Sequence, residues 1–167
     1  AKEGGVLRRS GHTEAAVDDA GGGLLFQRHR GRSWDDQPGD PADAVEVILK
    51  ERVDCLVGLP AQVLRLARCG PGTAIPPGRI TSVLLSADYV PASIVTALEK
   101  IWRCDVYQHY GMTEGGYGGG VECAVRNGYH LREADLYYEI VDPQDGRPLP
   151  DGQVGEVVFT TLTRRGM

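Results

Sequence analysis

The feature that most constrains this chain is an alternation of strand and helix signals between residues 53 and 108. Val53-Asp54-Cys55-Leu56-Val57-Gly58, the run from Ile80 to Leu85, and Cys104-Asp105-Val106-Tyr107-Gln108 are short and rich in apolar or β-branched residues. Runs of that length and composition read as buried strands. Between them, Pro60 opens a predicted helix that carries Val63, Leu64 and Ala67 and ends near Gly70. A second predicted helix starts at Pro91 and sets Ile94, Leu98, Ile101 and Trp102 on one face. Strand, helix and strand at these lengths make βαβ units of a parallel sheet, whose ligands bind outside the carboxyl ends of the strands. Two loops converge on that edge: Ser86-Ala87-Asp88, and the stretch from His109 onward.

The flanks read differently. Residues 1–40 form a lead-in rich in Gly, Arg and Asp, with one strand expected near 23–27; His12 and His29 stand in polar surroundings and are expected at the surface. Asp40-Pro41 supplies an N-cap and a first-turn proline to a helix carrying Val45, Ile48, Leu49 and Arg52, and the Pro/Gly-rich segment 70–79 reads as a loop. After residue 120 the pattern turns antiparallel. Asn127-Gly128 is a hairpin signal, and strands are expected over Leu136–Val141 and Val154–Thr160 with turn-rich sequence between them. The expected class is α/β, a parallel βαβ layer followed by a β-rich antiparallel portion. The expected divisions are 1–40, 41–120 and 121–167. No capping helix or polar tail follows the last strand, so an internal segment of a longer protein is expected.

Composition narrows the function classes. With 41% hydrophobic and 25% charged residues in 167, the chain can hold a core of its own. A net charge of -5 leaves no basic field for nucleic acid or anionic lipid. No apolar run approaches the roughly 20 residues needed to span a bilayer, and the N-terminus lacks a secretory hydrophobic core, so the expected setting is cytoplasmic. The four cysteines include no CxxC pair; Cys55 and Cys104 lie in strand-like runs and read as small buried hydrophobes. Cys123 and His130, seven apart across a predicted hairpin, are near enough to share a Zn²⁺, although a zinc site needs four ligands.

The chemistry concentrates in Tyr107-Gln108-His109-Tyr110-Gly111-Met112-Thr113-Glu114, followed by a run of glycines from Gly115 to Gly120 broken by Tyr117. Tyr110 offers a face for a heterocycle, Thr113 a hydroxyl for a phosphate oxygen, and Glu114 a carboxylate for Mg²⁺, a hard cation. Glycine lets backbone approach a ligand closely. Taken alone, the stretch equally fits a solvated loop that uses glycine for positive φ.

Tyr110-Gly111-Met112-Thr113-Glu114 resembles the Tyr-Gly-x-Thr-Glu signature of adenylate-forming enzymes. Gly128-Tyr129-His130, the run from Tyr138 to Pro143, Pro148-Leu149-Pro150 and the run from Gly155 to Thr163 are similar, in that order, to the phenylacetate-CoA ligase branch. The resemblance implies that Tyr110 stacks on adenine within a Gly111-Met112 backbone, that Thr113 meets the α-phosphate, and that Glu114 holds Mg²⁺. It also implies that Ser86, Ala87 and Asp88 form the adenine loop, and that His109 and Gly116 border the acyl pocket. Gly152, Gly155 and Glu156 match a structural motif. The implied reaction joins a carboxylic acid, aryl-acetate-like by family habit, to ATP as an acyl-adenylate, and then passes the acyl group to CoA.

This chain departs from that pattern in three ways. Asp88 stands where the family has a longer acid. Gly21-Gly22-Gly23 lacks the hydroxyls and lysine of a phosphate loop, and the family's ribose-binding Thr-Gly-Asp and C-terminal lysine fall outside these 167 residues. The segment by itself is therefore expected to be inactive. A noncatalytic nucleotide-binding or interaction module, or a purely structural glycine-loop domain, would leave the same sheet without the reaction.

Overall fold

A computed structural model of the chain describes residues 40–116 and 118–163, together with the backbone of four short strands before them. Those strands are β1 (Leu7–Arg9), β2 (Thr13–Ala15), β3 (Leu24–Gln27) and β4 (Arg32–Trp34). Next come α1 (Pro41–Lys50), β5 (Cys55–Gly58), α2 (Pro60–Arg68), α3 (Gly70–Thr73), β6 (Ser82–Leu85), α4 (Ala92–Trp102) and β7 (Asp105–Tyr110). A 3₁₀ turn (Thr113–Gly115) leads to β8 (Gly120–Glu122), β9 (Tyr129–Leu131), β10 (Leu136–Val141) and β11 (Glu156–Thr161). His12, His29 and the Gly21–Gly23 run lie outside the described residues.

Seven strands form one sheet in the order β4-β3-β5-β6-β7-β8-β9. The β5–β6 and β6–β7 pairs are parallel, as the βαβ reading requires, while β3–β5, β7–β8 and β8–β9 are antiparallel. Right-handed crossovers between strands added in one direction put successive helices on one face. Accordingly Leu56, Val83 and Val106, side by side in register, share a single core with Val45 and Ile48 of α1, Val63 and Leu66 of α2, and Leu98 and Trp102 of α4.

Local chemistry sets the element boundaries. The Asp40 carboxylate accepts from the Ala42 amide at 2.9 Å, and Pro41 occupies the first turn of α1. Leu49, expected on the apolar face, is 46% exposed, because the stripe through Ala44, Val45 and Ile48 leaves it a full residue step off axis. The predicted loop 70–79 contains α3. Its first turn is capped by Cys69 Sγ, which accepts from the Gly72 amide at 3.2 Å, and the buried Trp102 indole donates to the Gly72 carbonyl at 3.0 Å. Cys104 is buried as expected, and burial pushes its thiol up to about 11. Cys55 is only half-buried, at the start of β5.

The β10–β11 hairpin forms a separate two-stranded sheet, in register from Leu136 opposite Thr161 to Val141 opposite Glu156. β11 begins two residues later than the expected start at Val154, which is 98% exposed. The intervening Gly155 approaches the other strand so closely that a Cβ there would lie 2.4 Å from the Val141 carbonyl oxygen. Between β8 and β9, Gly128 has φ 97°, and Arg126 reaches back to the carboxylates of Glu99 and Asp105 with its guanidinium 5.5 Å from the Tyr107 ring centre. Among the described residues, no helix is long and apolar enough to cross a membrane.

Candidate functional site

Parallel register decides what meets at the strand ends. Leu85 of β6 lies opposite Gln108 of β7, so the next residue of each strand, Ser86 and His109, emerge side by side. Ser86 Oγ stands 2.8 Å from His109 Nδ1, and the Ser86 amide donates to the carbonyl of Gly58 at the end of β5. The two loops that the sequence sends to one edge are thus joined by a side-chain hydrogen bond.

Beyond Ser86 the loop turns sharply. Ala87 adopts a left-handed φ of 66°, a conformation that costs an alanine about 1 kcal/mol. Asp88 is exposed, and its carboxylate accepts from the Tyr89 amide at 2.7 Å, so the shorter acid is engaged within its own loop.

His109 is half-buried, and burial lowers its pKa from 6.5, leaving the imidazole neutral at pH 7. Its ring occupies room that two glycines vacate. A Cβ on Gly118, which has φ 104°, would come within 2.3 Å of His109 Nε2, and one on Gly111 within 2.9 Å of Cε1. Gly119 is squeezed in the same way: a Cβ there would lie 3.0 Å from the Tyr110 ring and 2.9 Å from the Tyr138 hydroxyl. That hydroxyl donates to the Gly119 carbonyl at 2.9 Å, and the Gly119 amide donates to the Tyr110 carbonyl at 2.8 Å. The glycine run is packed against side chains of the site, a constraint distinct from close approach to a ligand.

Tyr110 ends β7 half-buried, its ring centre 6.3 Å from that of Tyr129. Gly111, Met112, Thr113 and Glu114 follow, all exposed, the last two on the 3₁₀ turn. That turn is anchored by buried Gly115, whose Cβ position lies 3.8 Å from both Leu136 and Met112, and it closes at Gly116 with φ 78°. A ring, a hydroxyl and a carboxylate therefore stand within five residues beside the Ser86 loop. A heterocycle, a phosphate and a hard cation fit that donor set.

Two groups of contacts escape a reading of the sequence. The Gln108 amide donates to Glu122 Oε2 at 2.9 Å, its side chain donates to Oε1, and the Tyr129 hydroxyl donates back to Gln108. Tyr138 reaches the site from β10, and only its alternation with exposed Tyr137 hints at an inward role. Cys123 and His130 do come together: the Val125 amide and a hydrogen bond with His130 lower the Cys123 pKa. Among the described residues, no group of three or more His, Cys, Asp or Glu gathers to hold a metal ion, and a zinc site needs four ligands.

The fold is that of the acyl-CoA ligases. A 2-hydroxyisobutyryl-CoA ligase in an open conformation, in complex with 2-HIB-AMP and CoA, superposes with TM-score 0.68 at 21% identity, over 78% of this chain and 32% of that one. An anthranilate CoA ligase in complex with anthranoyl-AMP gives TM-score 0.61 at 13% identity, over 78% of this chain and 26% of that one. Likeness at these identities speaks to the fold alone.

The AMP-binding enzyme model matches residues 31–162, and the chain belongs to that family. It is similar to phenylacetate-coenzyme A ligases. The Pseudomonas putida enzyme is 29% identical over 133 residues, 77% of this chain and 30% of that protein. The Thermus thermophilus enzyme is 48% identical over 60 residues, 35% of this chain and 14% of that protein. The chain thus spans less than a third of the curated relatives it matches.

Proposed function

We propose that these residues are part of an AMP-forming acid–thiol ligase, one that activates an aryl-acetate-like carboxylic acid with ATP and transfers the acyl group to CoA. The observation that carries the reading is the Ser86–His109 hydrogen bond, which sets the two loops of the motif at one end of adjacent parallel strands. Membership of the AMP-binding enzyme family supports it.

In this reading the backbone of Ser86, Ala87 and Asp88 lies along one edge of the adenine and the half-buried Tyr110 ring stacks on its face, with Gly111 and Met112 completing the groove. Thr113 donates its hydroxyl to the α-phosphate. Glu114 holds Mg²⁺, which when bound neutralises phosphate charge. His109 and Gly116 border the acyl pocket, where a neutral imidazole leaves the substrate carboxylate free to act as the nucleophile. None of these side chains attacks; they position reactants and stabilise charge, which is what phosphoryl chemistry asks of a protein. The divisions 41–120 for the nucleotide-binding portion and 121–167 for the β-rich portion belong to the same reading, as does a cytoplasmic setting.

The test is pyrophosphate exchange by the product of the complete reading frame, screened over aryl-acetic, benzoic, fatty and amino acids. Exchange with an aryl-acetic acid is expected, and Thr113→Ala and Glu114→Gln should each lower it about 100-fold. Exchange that is absent with every acid would favour a noncatalytic nucleotide-binding module, and unchanged exchange in both variants would reduce the loop to a structural element.

A further inference from the structure

We infer that Ser86 is a positioning residue that acts through His109, holding the 86–88 loop and the 109–114 loop at one spacing. The inference rests on the reading of both loops as the nucleotide site.

Four observations converge on the pair. Ser86 is only 6% exposed, and its hydroxyl meets Nδ1 at 2.8 Å. The Cε1–Nε2 edge of the imidazole lies against Gly111 and Gly118, where a Cβ on either glycine would displace it. The Ser86 amide is itself tied to Gly58, which makes β5, β6 and β7 a common frame for the bond. Outside that bond the chain on both sides is exposed: Ala87, Asp88 and Tyr89 on one loop, Gly111 to Glu114 on the other. A neutral imidazole makes this hydrogen bond in either tautomer, as donor or as acceptor, so the link does not depend on which ring nitrogen carries the proton. Ser86 needs no contact with substrate for this role; it sets where His109 stands, and with it the start of the Tyr110–Glu114 segment.

The test is a double-mutant cycle in the product of the complete reading frame, joined to NMR on the 167-residue chain. Ser86→Ala should raise the KM for ATP about fivefold with kcat changed less than twofold, and His109→Leu, which also alters the acyl pocket, should raise that KM at least as much. The double variant should be no worse than His109→Leu alone, because the bond to Ser86 is already lost there. His109→Asn, whose amide reaches the Nδ1 position, should recover most of the loss seen in His109→Leu. In the NMR arm, the amide resonances of Ala87 and Asp88 should move in His109→Leu and stay near their original positions in His109→Asn.

Multiplicative effects in the double variant, or an unchanged KM in Ser86→Ala, overturn the inference. Amide shifts at 87–88 that follow the expected pattern while no acid supports ATP turnover overturn the ligase reading and leave the loop coupling standing.

Discussion

At the scale of the residue, His109 is where the constraints of the site meet. Burial lowers its pKa below 6.5, so the folded chain resists taking up a proton that the unfolded chain accepts. The stability conferred by the neutral imidazole is complete above pH 6.5 and is lost as pH falls through the depressed folded value. Urea midpoints should therefore drop between pH 7 and pH 5, and His109→Gln should flatten that part of the profile. The glycines around the ring make a second case. Gly118→Ala meets both a left-handed φ of 104° and His109 Nε2 at 2.3 Å, and should cost about 3 kcal/mol. Gly128→Ala meets only the strained φ of 97°, in open space, and should cost about 1 kcal/mol. Equal losses in the two variants would mean that backbone strain alone, without the imidazole contact, explains the glycine run.

At the scale of the element, legibility depended on whether the determining contacts were local. Asp40-Pro41 announces α1 because a cap and a first-turn proline act on the next three residues, and the structure bears this out. The same holds for Pro60 ahead of α2 and Asn127-Gly128 ahead of β9. By contrast, α3 lies in a Pro/Gly-rich run whose helical turn is stabilised by Cys69 Sγ and by an indole thirty positions downstream, a partner that no window of sequence contains. Trp102→Phe tests that dependence. It keeps most of the buried aromatic volume but removes the indole donor from the Gly72 carbonyl, leaving it the longer 3.4 Å bond from the Ile75 amide, and should destabilise the chain by about 2 kcal/mol, with amide exchange at Thr73 and Ala74 accelerating beyond the global change. If those two amides exchange no faster than the core of α4, the indole contact does not hold the turn.

At the scale of the whole molecule, the parallel centre was readable and its extensions were not. Three apolar runs separated by helices fix β5, β6 and β7 as parallel neighbours, and with them the edge where Ser86 and His109 emerge. That β8 and β9 extend the same sheet depends on Gly120 lying against Tyr129 and Leu131, and on the Glu122 carboxylate taking up the Gln108 amide where the β7–β8 ladder ends. Such contacts arise from packing between segments and leave no periodic trace. The motif residues of the candidate site were likewise visible as types, whereas the bond that joins its loops follows from register.

The same whole-chain view bears on affinity. A triphosphate brings several negative charges to a chain whose net charge is -5, and these 167 residues contain no loop combining glycine, hydroxyls and lysine to receive them. Thr113 and a cation at Glu114 would have to offset that repulsion unaided. Calorimetry on the 167-residue chain, with Mg²⁺ present, should accordingly detect no saturable micromolar binding of ATP, while the product of the complete reading frame should bind it. Saturable micromolar binding by the chain alone would mean that the strand-end loops suffice for the phosphates, and that the tyrosine, threonine and glutamate segment is a complete nucleotide site.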